Sequence, residues 1–116
     1  IKPMLYFSEW AESQYEYFKD AKYVGNTATF PGFYAPQGRQ LRLRAVDDQF
    51  LEVLNDLGVT NFEMETSAIY GMSKLLGHKA ITINNVIANR RRGEFAADHH
   101  KSEKMMIEWV LERIIK

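Results

Sequence analysis

Two carboxylates bracket a methionine in the run Asn61-Phe62-Glu63-Met64-Glu65-Thr66-Ser67-Ala68, where a strand pattern gives way to a helix pattern. Desolvating a carboxylate without partners costs several kcal/mol. A pair of them around a thioether therefore describes a pocket that wants hydroxyl donors, with the methionine packed on a carbon face, and a sugar answers that description. The same alternation also fits a half-exposed strand, with Glu63 and Glu65 in solvent and Met64 in the core. Spacing alone leaves both readings open.

A second polar group lies upstream in Phe33-Tyr34-Ala35-Pro36-Gln37-Gly38-Arg39. The Gln37 amide donates and accepts side by side, which matches the imide edge of a base such as uracil. Arg39 carries a fixed fork of donors suited to a carbonyl oxygen that gains negative charge. Phe33 could stack on a planar ring, and Gly38 would let the backbone bend so that both polar side chains face inward. The alternative is a solvated surface loop whose aromatics plug the core.

The elements that must position these residues follow from periodicity. Ser8, as a cap with Glu9 and Glu12 behind it, and Ala11, Tyr15 and Phe18 on one face predict a helix near 8–19. Tyr23 to Phe30 reads as a strand broken by Gly25, and 31–39 as a proline- and glycine-rich loop. Val46, Phe50, Val53 and Leu57 keep helical spacing up to Gly58, placed as a terminating residue. Val59 to Met64 reads as a short strand. Ala68, Ile69, Met72, Leu75 and Leu76 mark an amphipathic helix ended by Gly77. The nearly unbroken apolar run Ala80 to Ala88, interrupted only by Thr82 and Asn84-Asn85, reads as a strand covered on both faces. A charged loop over 89–100 leads to a terminal helix from about Ser102, with Met106, Trp109, Val110 and Ile114 on its buried side and the Met105-Met106 and Trp109 stripe as core packing. Strands alternating with helices predict an α/β layered domain, in which ligands gather at the carboxyl ends of strands. The polar segments 33–39, 63–65 and 89–90 all lie at or just past predicted strand ends, which groups them into one site.

Composition narrows the function classes. The chain has 116 residues, is 46% hydrophobic and 26% charged, and balances 15 Lys and Arg against 15 Asp and Glu. No global field points to nucleic acid or a membrane surface, and no apolar run approaches a membrane span. With no cysteine, neither a disulfide nor a thiolate metal site can form. Arg90-Arg91-Arg92 is too short a basic run for a nucleic-acid footprint. Asp98-His99-His100 lacks the spacing that converges on one ion, so no metal site is expected. The chain opens on Ile1, directly into an apolar stretch, as a piece of something longer would.

The three separated motifs Phe33-Tyr34-x-x-Gln37-x-Arg39, Asn61-Phe62-Glu63-Met64-Glu65 and Val86-Ile87-Ala88-Asn89-Arg90, in this order and spacing, resemble the C-terminal half of uridine phosphorylases, within the hexameric-type nucleoside phosphorylase family. The likeness runs from about Tyr23 to the terminal helix. It implies a three-layer αβα sandwich with a mixed central sheet, of which residues 1–116 supply the C-terminal portion of a single domain. It also implies roles. Phe33 resembles the aromatic that stacks on the pyrimidine, and Gln37 and Arg39 the pair that reads the uracil edge. Ile87 and Ala88 match base-pocket positions, and Arg90 an arginine behind Arg39. Met64 resembles the methionine under the ribose and Glu65 the carboxylate that accepts from ribose hydroxyls. Glu63 lies in the same ribose motif without an assigned task.

The reaction implied is reversible phosphorolysis of uridine to uracil and ribose 1-phosphate, with phosphate as co-substrate and no cofactor. Donors aimed at the departing base stabilise charge that appears only in the transition state, so Arg39 is the catalytic candidate. The resemblance further implies a cytoplasmic homo-oligomer, dimer or hexamer, in nucleoside salvage. The family's glycine-rich phosphate loop and phosphate-binding arginines lie in an N-terminal half outside this sequence, so the piece alone is expected to be inactive. Purine-specific relatives carry a catalytic aspartate near the strand end that here reads Thr82-Ile83-Asn84-Asn85-Val86. An amide cannot supply that proton, which argues against purine cleavage, yet Asn84-Asn85 also departs from the small residues of bacterial uridine phosphorylases. Pro36 is a lesser departure. A non-catalytic nucleoside-binding relative and a nucleosidase of the same superfamily remain the alternatives.

Overall fold

In the computed structural model, residues 12–43 and 49–115 are described. Strand β1 (Asn26–Thr29) pairs in parallel with β2 (Val59–Glu63), in the register Asn26↔Val59, Thr27↔Asn61, Ala28↔Phe62 and Thr29↔Glu63. A parallel pair needs a crossover, and the intervening chain carries helix α2 (Phe50–Asp56). The register is written into side chains as well as backbone. Thr27 Oγ1 donates to Asn61 Oδ1 at 2.8 Å, and Thr29 Oγ1 to Glu63 Oε1 at 2.6 Å. Residues two apart on one face thus meet their partners on the other strand.

The strand predicted from Tyr23 begins at Asn26, leaving Tyr23 and Val24 exposed. Gly25 sets that start: a Cβ there would lie 2.1 Å from Thr60 Oγ1. Only glycine tolerates this approach. Phe30, Phe50 and Phe62 pack together with ring centroids 5.3 to 6.3 Å apart, which joins the end of β1, the start of α2 and β2. In α2 the buried position belongs to Leu54, one turn after Phe50, whereas Val53 and Leu57 are exposed. The predicted stripe was therefore displaced by one residue, and its first member, Val46, lies outside the described residues. Gly58 ends the helix with φ +70°, as its position predicted.

Helix α3 (Thr66–Leu76) follows β2 at once and ends at Gly77, φ +74°. Its buried residues are Thr66 and Tyr70, not the predicted stripe; Ile69, Met72, Leu75 and Leu76 are exposed. The docking face is chosen by polar contacts: Ser67 N donates to Thr29 Oγ1 at 2.9 Å, and Thr82 N donates to the Tyr70 hydroxyl at 2.7 Å.

The run over 80–88 departs most from expectation. Only β3 (Ala88–Asn89) is strand, antiparallel to β4 (Glu94–Phe95). Residues 80–86 find no ladder partner among the described residues, Ile87 O accepts only from Ala96 N at 2.9 Å, and Val86 and Ile87 are exposed. The described sheets are therefore two small pairs, one parallel and one antiparallel, within a mixed helix and strand chain. They fit part of an α/β fold; the three-layer sandwich with one mixed central sheet is not formed among them.

Helix α4 (His99–Ile114) starts three residues before the predicted Ser102, because Asp98 Oδ1 caps it by accepting from Lys101 N at 2.9 Å. Trp109 packs on the buried Phe18, ring centroids 5.5 Å apart. Phe18 ends a 3-10 turn (Glu16–Phe18) that continues the short helix α1 (Glu12–Tyr15). That matches the end of the predicted first helix, whose Ser8, Glu9 and Ala11 lie outside the described residues. Arg113 ion-pairs with Asp20 and lies over the Trp109 ring. Met106, Trp109 and Val110 are half-buried, but Met105 and Ile114 are exposed, contrary to the predicted core stripe. Among the described residues no helix is long and apolar enough to cross a membrane.

Candidate functional site

Parallel pairing brings the carboxyl ends of β1 and β2 side by side, and Phe30 N seals them by donating to Glu63 O at 2.9 Å. Both polar loops leave from this edge. After β1, a 3-10 turn over Ala35–Gln37 closes on Gly38, whose φ of +65° and close approach to Phe50 both require glycine. Arg39 N then donates to Tyr34 O at 2.9 Å, so the chain doubles back and Arg39 returns over Phe33. Its guanidinium carbon lies 3.7 Å from the Phe33 ring centroid. It donates to Phe33 O and, at 2.6 Å, to Gln37 Oε1.

Gln37 is only 4% exposed. Its main-chain oxygen accepts from Arg90, so one residue is gripped by two guanidiniums, one on its side chain and one on its backbone. Arg90 also lies over Phe62 at 5.6 Å. Burial, and then the neighbouring Arg39 charge, lower the Arg90 pKa from its ordinary value. Neither arginine has a carboxylate in ion-pairing range among the described residues. Among the described residues, positive charge is thus concentrated at this edge.

The carboxylate pair around Met64 divides in two. Glu63 is committed to the chain: Oε1 accepts from Thr29, and Oε2 accepts from Glu65 N at 2.6 Å and Thr66 N at 2.7 Å. Desolvation raises its pKa, but the bonds from Thr29, the two amides and the Thr66 hydroxyl outweigh that, so the net shift is downward. Met64 and Glu65 are exposed, at the turn into α3. Their side chains make none of the described hydrogen bonds.

Phe33, Gln37, Arg39 and Arg90 are therefore brought into direct contact, as grouped from the sequence. Glu63, Met64 and Glu65 sit at and just past the adjoining strand end, next in the chain to Phe62, over which Arg90 lies. Ile87 and Ala88 precede Arg90 on β3 and the segment before it, Ile87 exposed and Ala88 half-buried. Asn85 Nδ2 donates to Ser102 Oγ at 3.0 Å, turning its amide toward α4, while Asn84 is exposed. Sequence reasoning missed Thr29 and Thr66, which lie at the β2–α3 turn, and Tyr70 and Thr82, which tie α3 to the segment after it. Only the alternation Thr27-x-Thr29 opposite Asn61-x-Glu63 could have flagged the first, and it needs the register. Among the described residues no group of three or more His, Asp or Glu converges as a metal would require.

No family model matches the chain, and no solved structure matches it. Among curated proteins the chain is 33% identical over 95 residues to the purine nucleoside phosphorylase DeoD-type 2 of Aliivibrio fischeri, covering 80% of this chain and 36% of that protein. It is 33% identical over 94 residues to the purine nucleoside phosphorylase DeoD-type of Xenorhabdus nematophila. It is 31% identical over 103 residues to the uridine phosphorylase of Thermococcus kodakarensis, covering 75% of this chain and 35% of that protein. The chain thus spans about a third of the length of the curated relatives it matches. Purine and uridine enzymes match with nearly equal identity, and together they support the nucleoside phosphorylase family for this chain without choosing between its purine and uridine members.

Proposed function

We propose that this chain supplies the base- and ribose-binding part of a pyrimidine nucleoside phosphorylase, which cleaves uridine reversibly with phosphate. The observation that carries the reading is the pair Arg39 and Arg90 around Gln37, with no ion-pairing carboxylate among the described residues, beside the exposed Glu65 just past the neighbouring strand end. In the reaction the ribose–N1 bond breaks, a phosphate oxygen forms the new bond to the anomeric carbon, and the base leaves with the electron pair. Arg39 stabilises the charge that develops on the uracil oxygen. Arg90 holds Gln37 from behind, and Phe33, with Ile87 and Ala88, bounds the base. Glu65 accepts from ribose hydroxyls above Met64. The uracil anion spreads its charge over two carbonyls and takes its proton from solvent. Phosphate is a co-substrate held by residues beyond this chain, and no cofactor takes part. A homo-oligomer in a cytoplasmic salvage setting accords with this reading.

A second reading, purine nucleoside phosphorolysis, draws on the similarity to the purine enzymes. The asparagines at 84 and 85, which cannot protonate a purine nitrogen, weigh against it. One assay decides: the full-length protein is expected to release uracil from uridine only when phosphate is present, and to leave inosine and adenosine intact. Release without phosphate would identify a nucleosidase, and release of hypoxanthine or adenine would favour the purine reading. Uridine binding with no release at all would identify a non-catalytic relative.

A further inference from the structure

Glu63 is spent on the protein itself, and that is informative about Glu65. Between Glu63 and α3 the chain must turn within two residues, and helix starts leave backbone N–H groups without intrahelical partners. Residue Glu65 stands at the cap position but makes no side-chain capping bond. The task falls instead to Glu63, whose Oε2 takes both Glu65 N and Thr66 N. Its other oxygen is fixed by Thr29, and Thr29 Oγ1 in turn accepts from Ser67 N. Three consecutive amides of the first turn are thus tied to β1 and β2 through two side chains. The Met64–Glu65 pair hangs on this clamp. Thr66 Oγ1, 3.4 Å from Thr82 Oγ1, extends it toward the segment that leads to Arg90.

We infer that Glu63 and Thr29 are positioning residues for sugar recognition. The Glu63 carboxylate, held by the Thr29 hydroxyl, pins the amides of the β2–α3 turn so that Glu65 stays free and aimed at the ribose hydroxyls. This rests on the nucleoside reading above and deepens it: of the two carboxylates around Met64, one touches sugar and the other holds it in place. Charge-assisted bonds to backbone amides are strong and geometrically specific. A glutamine at 63 would set an amide NH2 or a weaker carbonyl against the same donors.

The experiment compares uridine with free uracil as ligands of the full-length protein, using wild type, Glu63→Gln, Thr29→Val, Thr29→Ser and Glu65→Ala. Glu63→Gln is expected to weaken uridine binding by roughly tenfold while leaving uracil affinity within about twofold, since only the sugar half is disturbed. Thr29→Val is expected to follow it in smaller measure, and Thr29→Ser, which restores the hydroxyl, to recover wild-type binding. In the unliganded protein the Glu65 and Thr66 amide proton resonances are expected to move upfield in Glu63→Gln, reporting loss of the charged acceptor independently of any ligand. If Glu65→Ala loses the preference for uridine and Glu63→Gln keeps it, the positioning role is overturned and the nucleoside reading survives. If wild type shows no preference for uridine over uracil, the nucleoside reading fails and the positioning role with it. Equal loss of uridine and uracil in Glu63→Gln would mark a general structural defect and overturn the inference.

Discussion

The β1–β2 edge is the more polar in sequence and the run from Ala80 to Ala88 the more apolar, yet it is the polar edge whose side chains are held in register. Along the edge, the phenylalanine cluster is closed, Gln37 is buried, and the polar side chains of Thr27, Thr29, Asn61 and Glu63 are bonded in register. Along the second stretch, Val86, Ile87 and Phe95 are exposed, α4 has no buried residue, and the strand pairing is two residues long. The difference lies in the ladder. Where a neighbouring strand is supplied, side chains are forced into alternating faces and find fixed partners; where it is not, the run is tied down by single bonds such as Thr82 to Tyr70 and Asn85 to Ser102. Candidate site residues concentrate at the committed edge, where geometry can be held.

Substitutions can break or sharpen this contrast. The largest expected effect is on chemistry: Arg39→Ala in the full-length protein should lower uridine turnover by roughly 10²–10³, whereas Ile87→Ala in the looser stretch should cost less than about tenfold. Steady-state kinetics with phosphate in excess would measure both, and a loss under about tenfold for Arg39→Ala would remove its catalytic role. On stability, Phe62→Ala should cost about 2–3 kcal/mol, toward the low end for phenylalanine truncations because the ring is half-buried. Phe95→Ala, at 81% exposure, should stay within about 0.5 kcal/mol. Urea denaturation of the full-length protein compares them, and equal costs would dissolve the distinction between the two regions. Gly25→Val should cost about 1–3 kcal/mol by driving a side chain into Thr60, read from the same transitions.

The smallest effect is a pH dependence. The Glu63 pKa is lowered in the fold, so its contribution is fully present above the unfolded carboxylate value, about 4.3, and is lost as pH falls through the folded value. Glu63→Gln should therefore flatten the acid limb of a stability–pH profile and leave the neutral plateau nearly parallel to wild type. An unchanged acid limb would mean that other carboxylates carry it.

Much of the site was legible because its cues are local. The bend at Gly38, the proline- and glycine-rich loop, and the strand-to-helix turn at Glu63 to Thr66 are dictated by φ preferences and by what short side chains can reach, so the spacing of residues announced them, whereas the return of Arg39 over Phe33 was not announced. Helix ends at Gly58 and Gly77 were readable for the same reason. Faces were not. Val53 and Leu57 carried the right period, but the buried position went to Leu54; Ile69, Met72, Leu75 and Leu76 made a stripe, but Thr66 and Tyr70 took the interior. Periodicity gives the existence of a face, while its partner is chosen by other elements.

The sequence by itself thus determined where the chain turns and that strands and helices alternate, since each depends on contacts a few residues long. Tertiary structure alone decided that Glu63 serves the backbone while Glu65 faces outward, that Arg39 and Arg90 grip the same glutamine, and that the run from Ala80 stays almost unpaired. Those outcomes depend on strand register and on residues 34 and 53 positions apart in the chain (Thr29 with Glu63, Gln37 with Arg90). No local preference encodes such a meeting, because its free energy exists only once both partners are in place.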